Sequence, residues 1–305
     1  MVASVDRSKE PARSAGTKSP EVGYKSIIDF GRAAPVEYPH TIGDYPTKIF
    51  PGTARIFIER FTSPGDTVLD PFCGAGTFAV ECKKAGRNSI NYDVNPEAIR
   101  IAKQKLKALD LTLAAFAEDA GHSPENNQEL TLHDARSLPL PDSCVDAIVT
   151  DIPYGSMIQY STLPDDLSAI EDYGTFLSEL RKCFAEVKRV LKPAKYCVVF
   201  VCDYRVGAAR KILPIHSDLT HFMIHELDFT LFDTYIWRYY RSGGFRPFGR
   251  RPFQAMNLHS YILVFYKPNG DEGSDRKNRP VRYRPRLIQK QGITNKKLQA
   301  LVPGE

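Results

Sequence analysis

Two hydrophobic rhythms alternate along the chain. Short apolar runs with strand character are separated by segments whose apolar residues recur every three or four positions. Thr67–Asp70 and Asn88–Asp93 read as strands that each end in a carboxylate. Between them Phe78, Ala79, Cys82 and Ala85 share a helical face, and Gly86 stops the helix. Thr53 to Phe61 has a similar periodicity. Asn95-Pro96-Glu97 opens a helix through Ala108, and residues 109–128 hold no strand. Glu129–Leu132 and Val145–Thr150 follow as strands. An amphipathic helix then spans Tyr173 to Leu191, ended by Lys192-Pro193, before the buried strand Tyr196–Val201. Pro214 opens a helix to about Leu227. Phe229–Tyr239 and Ser260–Lys267 are the last strands, the final one expected antiparallel at the sheet edge. Strands alternating with helices predict an α/β fold with a doubly wound, mostly parallel sheet, here of seven strands.

The ends of the chain differ from this core. Residues 1–23 are rich in Ser, Lys, Pro and Glu and are expected to be disordered, and Tyr24–Arg32 is a short ordered lead-in. One domain is expected over 24–268, followed by a basic flexible tail over 269–305. With 42% hydrophobic residues, 17 Phe and 15 Tyr the chain can build a sizeable core. The net charge of +5 suits a polyanionic partner without requiring one. Six cysteines without CxxC spacing indicate reduced thiols, a cytoplasmic protein and no metal site. No apolar run is long enough for a membrane span, and the polar start has no signal-peptide core.

The chemistry concentrates first in Asp70-Pro71-Phe72-Cys73-Gly74-Ala75-Gly76-Thr77. Gly74 and Gly76 lack a Cβ, so a ligand is expected to lie against the backbone there. The helix behind them offers unpaired N–H groups. The turn fits the dinucleotide pattern only in a relaxed form, with Ala79 at the third glycine position, and a P-loop is excluded by the missing GxxxxGK[ST]. Asp93, at the tip of the second strand, is placed to receive ribose hydroxyls. Asp134 follows the next strand, where it either accepts from an adenine amino group or caps its own turn.

The second concentration is Asp151-Ile152-Pro153-Tyr154-Gly155, after the fourth strand. An exocyclic base amine is a poor nucleophile because its lone pair is delocalised into the ring. An acceptor oxygen on Asp151 and the carbonyl of Ile152, fixed by Pro153, would draw that nitrogen towards tetrahedral geometry. Tyr154 would supply a stacking face, and the base would first have to leave a duplex. A strand-to-loop turn capped by Asp151 is the structural alternative.

Together DYPTKIFPGTA, DPFCGAGT, NYDVNP, LPLPDSCVDAIVTDIPYG and HSYILVFYKP resemble the DNA adenine-N6/cytosine-N4 methyltransferase superfamily over about residues 38–268. The resemblance implies a Rossmann-like sheet of the S-adenosylmethionine-dependent methyltransferase type and S-adenosylmethionine as cofactor. It implies cofactor contacts at Tyr45, Pro46, Asp70, Phe72, Cys73, Gly74, Gly76, Thr77, Asp93 and Asp134. It implies catalytic roles for Asp151, Ile152, Pro153 and Tyr154, and DNA methylation of the restriction-modification kind. Ile152 departs from the family's usual [DNS]PP[YF] at the first proline, while Asp151 leans towards adenine N6 over cytosine N4. A cytosine-C5 enzyme is disfavoured because no Pro-Cys occurs.

An RNA enzyme of the tRNA guanine-N2 type also fits DIPYG, and a non-catalytic nucleic-acid-binding protein is a third reading. DNA is the expected partner and RNA the runner-up. Specificity is expected from loops, a partner or a homodimer. Between the last two strands, about residues 237–256, Arg238, Arg241, Arg246, Arg250 and Arg251 are interleaved with Tyr239, Tyr240, Phe245, Phe248 and Phe253. No Asp or Glu lies between Thr234 and Asp271, so these arginines are expected to meet phosphates and the rings to meet bases.

Overall fold

The computed structural model describes residues 26–29, 37–45, 49–117, 126–155, 158–206, 211–238 and 259–270, and among these described residues there are ten strands and five α-helices. In order these are β1 (Ile27–Asp29), α1 (Pro51–Phe61), β2 (Thr67–Asp70), α2 (Thr77–Lys84), β3 (Asn88–Asp93), α3 (Pro96–Ala117), β4 (Gln128–Leu132) and β5 (Val145–Asp151). Then follow α4 (Tyr173–Val190), β6 (Leu191–Val201), β7 (Tyr204–Val206), β8 (Lys211–Leu213), α5 (Ile215–His225), β9 (Thr230–Arg238) and β10 (His259–Tyr266). Two compact units divide at Pro268, and only Asn269 and Gly270 of the second are described.

Eight strands form the main sheet in the order β1-β9-β10-β6-β5-β2-β3-β4. The expected seven are all present. The eighth is β1, from the lead-in segment, which pairs parallel to β9. The stretch β6-β5-β2-β3-β4 is parallel throughout. β10 is antiparallel as expected, but it is not an edge strand: it lies between β6 and β9 and pairs with both. That position explains its sequence, since Ile262, Leu263, Val264 and Phe265 are all buried. Such a run suits a strand covered on both faces.

Period-two alternation divides the core. Cys197, Val199 and Val201 of β6 pack on the side of α4 and α5, whereas Val198 and Phe200 pack on the side of α1. Leu263 and Phe265 of β10 go with the first group, Ile262 and Val264 with the second. A third cluster joins α2, α3 and β4. Two segments differ from their expected bounds. α3 continues to Ala117, well beyond Ala108. β6 starts directly at Leu191, and its register on β5 shifts between Val145 and Ala147. Ala194 sits beside that shift with φ of 58° and donates to the carbonyl of Lys267 at 2.9 Å.

Candidate functional site

The carboxyl ends of β2, β3, β4 and β5 surround an open cleft of about 830 Å³. A parallel doubly wound sheet binds ligands at this edge. Tyr45, Phe72, Cys73, Gly74, Thr77, Asp93, Asp134, Asp151, Ile152 and Pro153 line it, so the two sequence concentrations meet in one space.

The floor is the glycine turn. Asp93 ties it down: its Oδ2 accepts from Gly74 N at 2.8 Å and its Oδ1 from Asn95 N at 2.8 Å. Burial pushes the Asp93 carboxyl up to about 6, less far than it would without those backbone donors. Gly74 adopts φ of 47°, and a Cβ there would stand 3.2 Å from the Tyr45 ring. The turn is held from below by Lys105, fully buried in α3, whose Nζ donates to Ala75 O at 2.8 Å.

Three expected site residues do not line the cleft. Gly76 has φ of 74°, and a Cβ there would meet the Ala102 Cβ at 2.6 Å. Its missing side chain lets α3 approach the start of α2, which is a packing requirement. Asp70 is buried beneath the turn, where its Oδ1 accepts from Phe72 N at 3.2 Å and from Thr150 Oγ1 at 2.7 Å. It therefore links the cofactor turn to the residue before Asp151. Tyr154 presents no stacking face. Its ring is buried among the α4 and α5 core residues, and its hydroxyl donates to Asp151 Oδ1 at 2.7 Å. A buried phenol needs a partner for its O–H, and Asp151 supplies it. Pro46, Arg241, Arg246, Arg250 and Arg251 lie outside the described residues. Arg238 ends β9 opposite His259, so both ends of the basic segment leave the sheet at the carboxyl edge.

Asp134 caps its own turn, one of the two readings considered for it. Its Oδ1 caps its own turn by accepting from Arg136 N at 2.8 Å, and the Arg136 guanidinium binds the carboxylate bidentately while Asp134 still lines the cleft. Burial works against its charge, but the Arg136 bonds outweigh this and hold the carboxyl below its ordinary value.

The far wall was not legible in the sequence. Tyr160 stacks on Tyr45 with ring centroids 5.7 Å apart, and Asn95 Nδ2 donates to its carbonyl at 3.1 Å. Asp165 and Asp166 stand beside it, and Asp166 caps a short 3-10 turn through Ser168 N at 2.8 Å. Asp-x-Ser is a local capping signal, but nothing in the sequence says that the turn faces a cleft.

Among the described residues the lining carries five carboxylates (Asp93, Asp134, Asp151, Asp165 and Asp166) and no lysine or arginine. This donor set suits a ligand with positive charge and hydroxyls. It is unsuited to a pyrophosphate. S-adenosylmethionine, with a sulfonium, an ammonium and a ribose diol, fits; Gly74 leaves room against the backbone and Asp93 retains lone pairs for hydroxyls.

Buried carboxyls at the site's centre create a pH dependence. Burial pushes Asp70 up to about 8, against bonds from Thr150 and Phe72 that lower it. The folded state then keeps a proton that the unfolded state has lost, between about pH 4 and pH 8. Stability contributed by this group is greatest at low pH and falls as pH rises through that window. Asp70→Asn removes the penalty and keeps an acceptor for Thr150. Its melting temperature is expected to match wild type near pH 4 and to exceed it by several degrees near pH 8.5. Equal melting temperatures at both pH values would show that Asp70 is not held protonated.

The family model described as DNA methylase, for N6/N4 methyltransferases, matches residues 5–104 and 145–299. The model of an RMKL-like methyltransferase domain matches residues 60–221. A type II methyltransferase, M.MjaII of Methanocaldococcus jannaschii, is 39% identical over 72 residues, covering 24% of this chain and 14% of that protein. A tRNA (guanine(10)-N2)-dimethyltransferase of Methanothermobacter thermautotrophicus is 30% identical over 158 residues, 52% of this chain and 40% of that protein. A solved SAM-dependent methyltransferase from Methanosarcina mazei is 18% identical with a TM-score of 0.45, over 70% of this chain and 97% of that one. The chain thus spans well under half the length of these two curated relatives.

Proposed function

The chain belongs to the N6/N4 DNA methylase family and carries an RMKL-like methyltransferase domain, and from this premise we propose that it transfers a methyl group from S-adenosylmethionine to an exocyclic amine of a nucleic-acid base. The observation that carries the reading is the shared cleft: Gly74 and Asp93 on one side, Asp151, Ile152 and Pro153 on the other.

S-adenosylmethionine supplies an electrophilic methyl group. The chain's own residues prepare its acceptor. Asp151 accepts a hydrogen bond from the incoming amine, and the Ile152 carbonyl accepts the second. Two acceptors on one amine localise its lone pair on nitrogen. Ile152 N donates to Phe200 O at 3.3 Å, which fixes the loop to β6 even without the family's first proline. The carboxylates of the cleft favour the positive charge of the cofactor, and Asp93 takes the ribose. Tyr154 acts through Asp151, by orienting its carboxylate.

DNA is the substrate of this reading and adenine N6 the favoured target, on the strength of an aspartate at position 151. The basic, aromatic segment rooted at Arg238 and His259 is the proposed nucleic-acid surface. A second reading, transfer to RNA, has its own support in the likeness to a tRNA guanine-N2 enzyme over 52% of the chain. Incubating the protein with methyl-labelled S-adenosylmethionine and either duplex DNA or tRNA, then analysing the nucleosides, separates them. Label in N6-methyladenine from DNA is expected. Label only in tRNA guanine would replace DNA by RNA, and no label in either would remove the enzyme reading.

A further inference from the structure

We propose that Asp203, His216 and Tyr261 form a second polar station for the target nucleotide, in which His216 Nε2 accepts a hydrogen bond from an N–H donor of the base. The inference rests on the methyltransferase reading and names a station beside the Asp151 loop.

The sheet sets the place. Asp151 of β5 pairs with Phe200 of β6, and Val201 pairs with Tyr261 of β10. Asp203 lies three residues beyond Phe200, about 10 Å further along the strand direction. The Asp151 loop packs on this segment. A Cβ on Gly155 would stand 3.0 Å from the Tyr204 hydroxyl. Both roots of the basic segment, Arg238 and His259, emerge at this edge.

The three side chains hold one another. Asp203 Oδ2 accepts from His216 Nδ1 at 2.6 Å, and its Oδ1 accepts from His216 N at 3.1 Å. The imidazole lies flat on the Tyr261 ring, with centroids 3.9 Å apart and planes 12° apart. His259 meets the same tyrosine edge-on at 5.1 Å. In the neutral tautomer with Nδ1–H on that carboxylate, Nε2 carries the lone pair and is the acceptor the proposal uses. Among the described residues nothing bonds to Nε2, and the His216 side chain is 29% exposed.

Capping the first turn of α5 explains Asp203 Oδ1. It does not explain an imidazole clamped by a second oxygen and a ring in a side chain that stays part-exposed. An acceptor of fixed direction selects a donor. The neighbouring Asp203 disfavours an anion such as phosphate at the same spot. An exocyclic amine or ring N–H is the matching group, and Asp151 needs that same class of ligand.

Three measurements test this. His216→Phe keeps the flat ring on Tyr261 and removes the acceptor. Its kcat/KM for the nucleic-acid substrate is expected to fall by about tenfold to a hundredfold. S-adenosylmethionine affinity should stay at the wild-type value, and His216→Gln should recover part of the loss. Unchanged kcat/KM in His216→Phe, or an equal loss in cofactor affinity, would overturn the assignment. Independently of turnover, the Nε2 resonance of nitrogen-15-histidine-labelled protein should shift on adding a single-stranded deoxyadenosine decamer. A decamer of purine deoxyriboside, which lacks the exocyclic amine, should leave it in place. Equal shifts, or none with either decamer, would overturn the proposal. Wild-type protein that methylates no nucleic acid would remove the proposed function, while the nitrogen signal still decides His216.

Discussion

Asp151→Ala is expected to lower turnover by about a hundredfold to a thousandfold while changing S-adenosylmethionine affinity far less. The carboxylate's acceptor oxygen matters most as the amine pyramidalises, so its loss is felt in kcat rather than in binding. Asp151→Asn should be milder, because the amide oxygen still accepts. The pH profile gives a sharper test. Burial pushes the Asp151 carboxyl up to about 7, partly offset by the Tyr154 hydroxyl bond. Only the ionised form can accept two donors, from Tyr154 and from substrate, without competing as a donor itself. About a tenth is ionised at pH 6 and about nine tenths at pH 8. Turnover should therefore rise through about pH 7 and level above it. Tyr154→Phe removes the bond that lowers the pKa, so its midpoint should lie higher than wild type. Asp151→Asn should lose the step altogether. A wild-type profile without this step, together with an active Asp151→Ala protein, would make the loop structural.

The legible part of this protein is the part written in local pattern. Thr67–Asp70 and Asn88–Asp93 fall on their expected bounds because a buried parallel strand needs an apolar run and a turn at each end. The pairing partners are not local, and that is where expectation and structure separate. Nothing in Ser260–Lys267 distinguishes an edge from an interior position except its unbroken apolar run, since its second neighbour, β6, is a strand from much earlier in the chain. The same holds for the site. Gly74, Asp93 and Asp151 are legible as lining residues because they lie at or just after strand ends, where the cleft of a parallel sheet opens. Tyr154 misleads: an aromatic after Asp-x-Pro reads equally well as a stacking face or as a buried clamp on its own carboxylate, and the packing of Phe176 and Tyr204 decides. Tyr160 and Asp166 carry no signal at all, since a loop residue's distance from a cleft depends on how the whole sheet closes.

The two glycines of the turn separate fold from ligand most cleanly. Gly76→Ala is expected to destabilise the protein by about 2–5 kcal/mol. Left-handed backbone costs an alanine about 1 kcal/mol or more. The new methyl would stand 2.6 Å from Ala102 Cβ and 3.2 Å from its Cα, so the backbone of α3 must move to admit it. Overpacking of that kind adds about 1–3 kcal/mol. The Lys105 bond to Ala75 O ties the same helix to the same turn, so relief by sliding α3 would disturb the cleft floor. Gly74→Ala meets a softer neighbour. Its methyl would lie 3.2 Å from Cε1 of Tyr45, a ring that can tilt. Its fold should survive with a loss of about 1–2 kcal/mol, and the tilted ring and added methyl should narrow the space for S-adenosylmethionine. Thermal melting and calorimetry read the two effects separately. Gly76→Ala should lose several degrees or more of melting temperature. Gly74→Ala should melt nearer to wild type but bind the cofactor at least tenfold more weakly. Cofactor affinity equal to wild type in folded Gly74→Ala would place the ligand away from the turn, and undiminished stability in Gly76→Ala would mean that α3 does not press on α2 as closely as 2.6 Å requires.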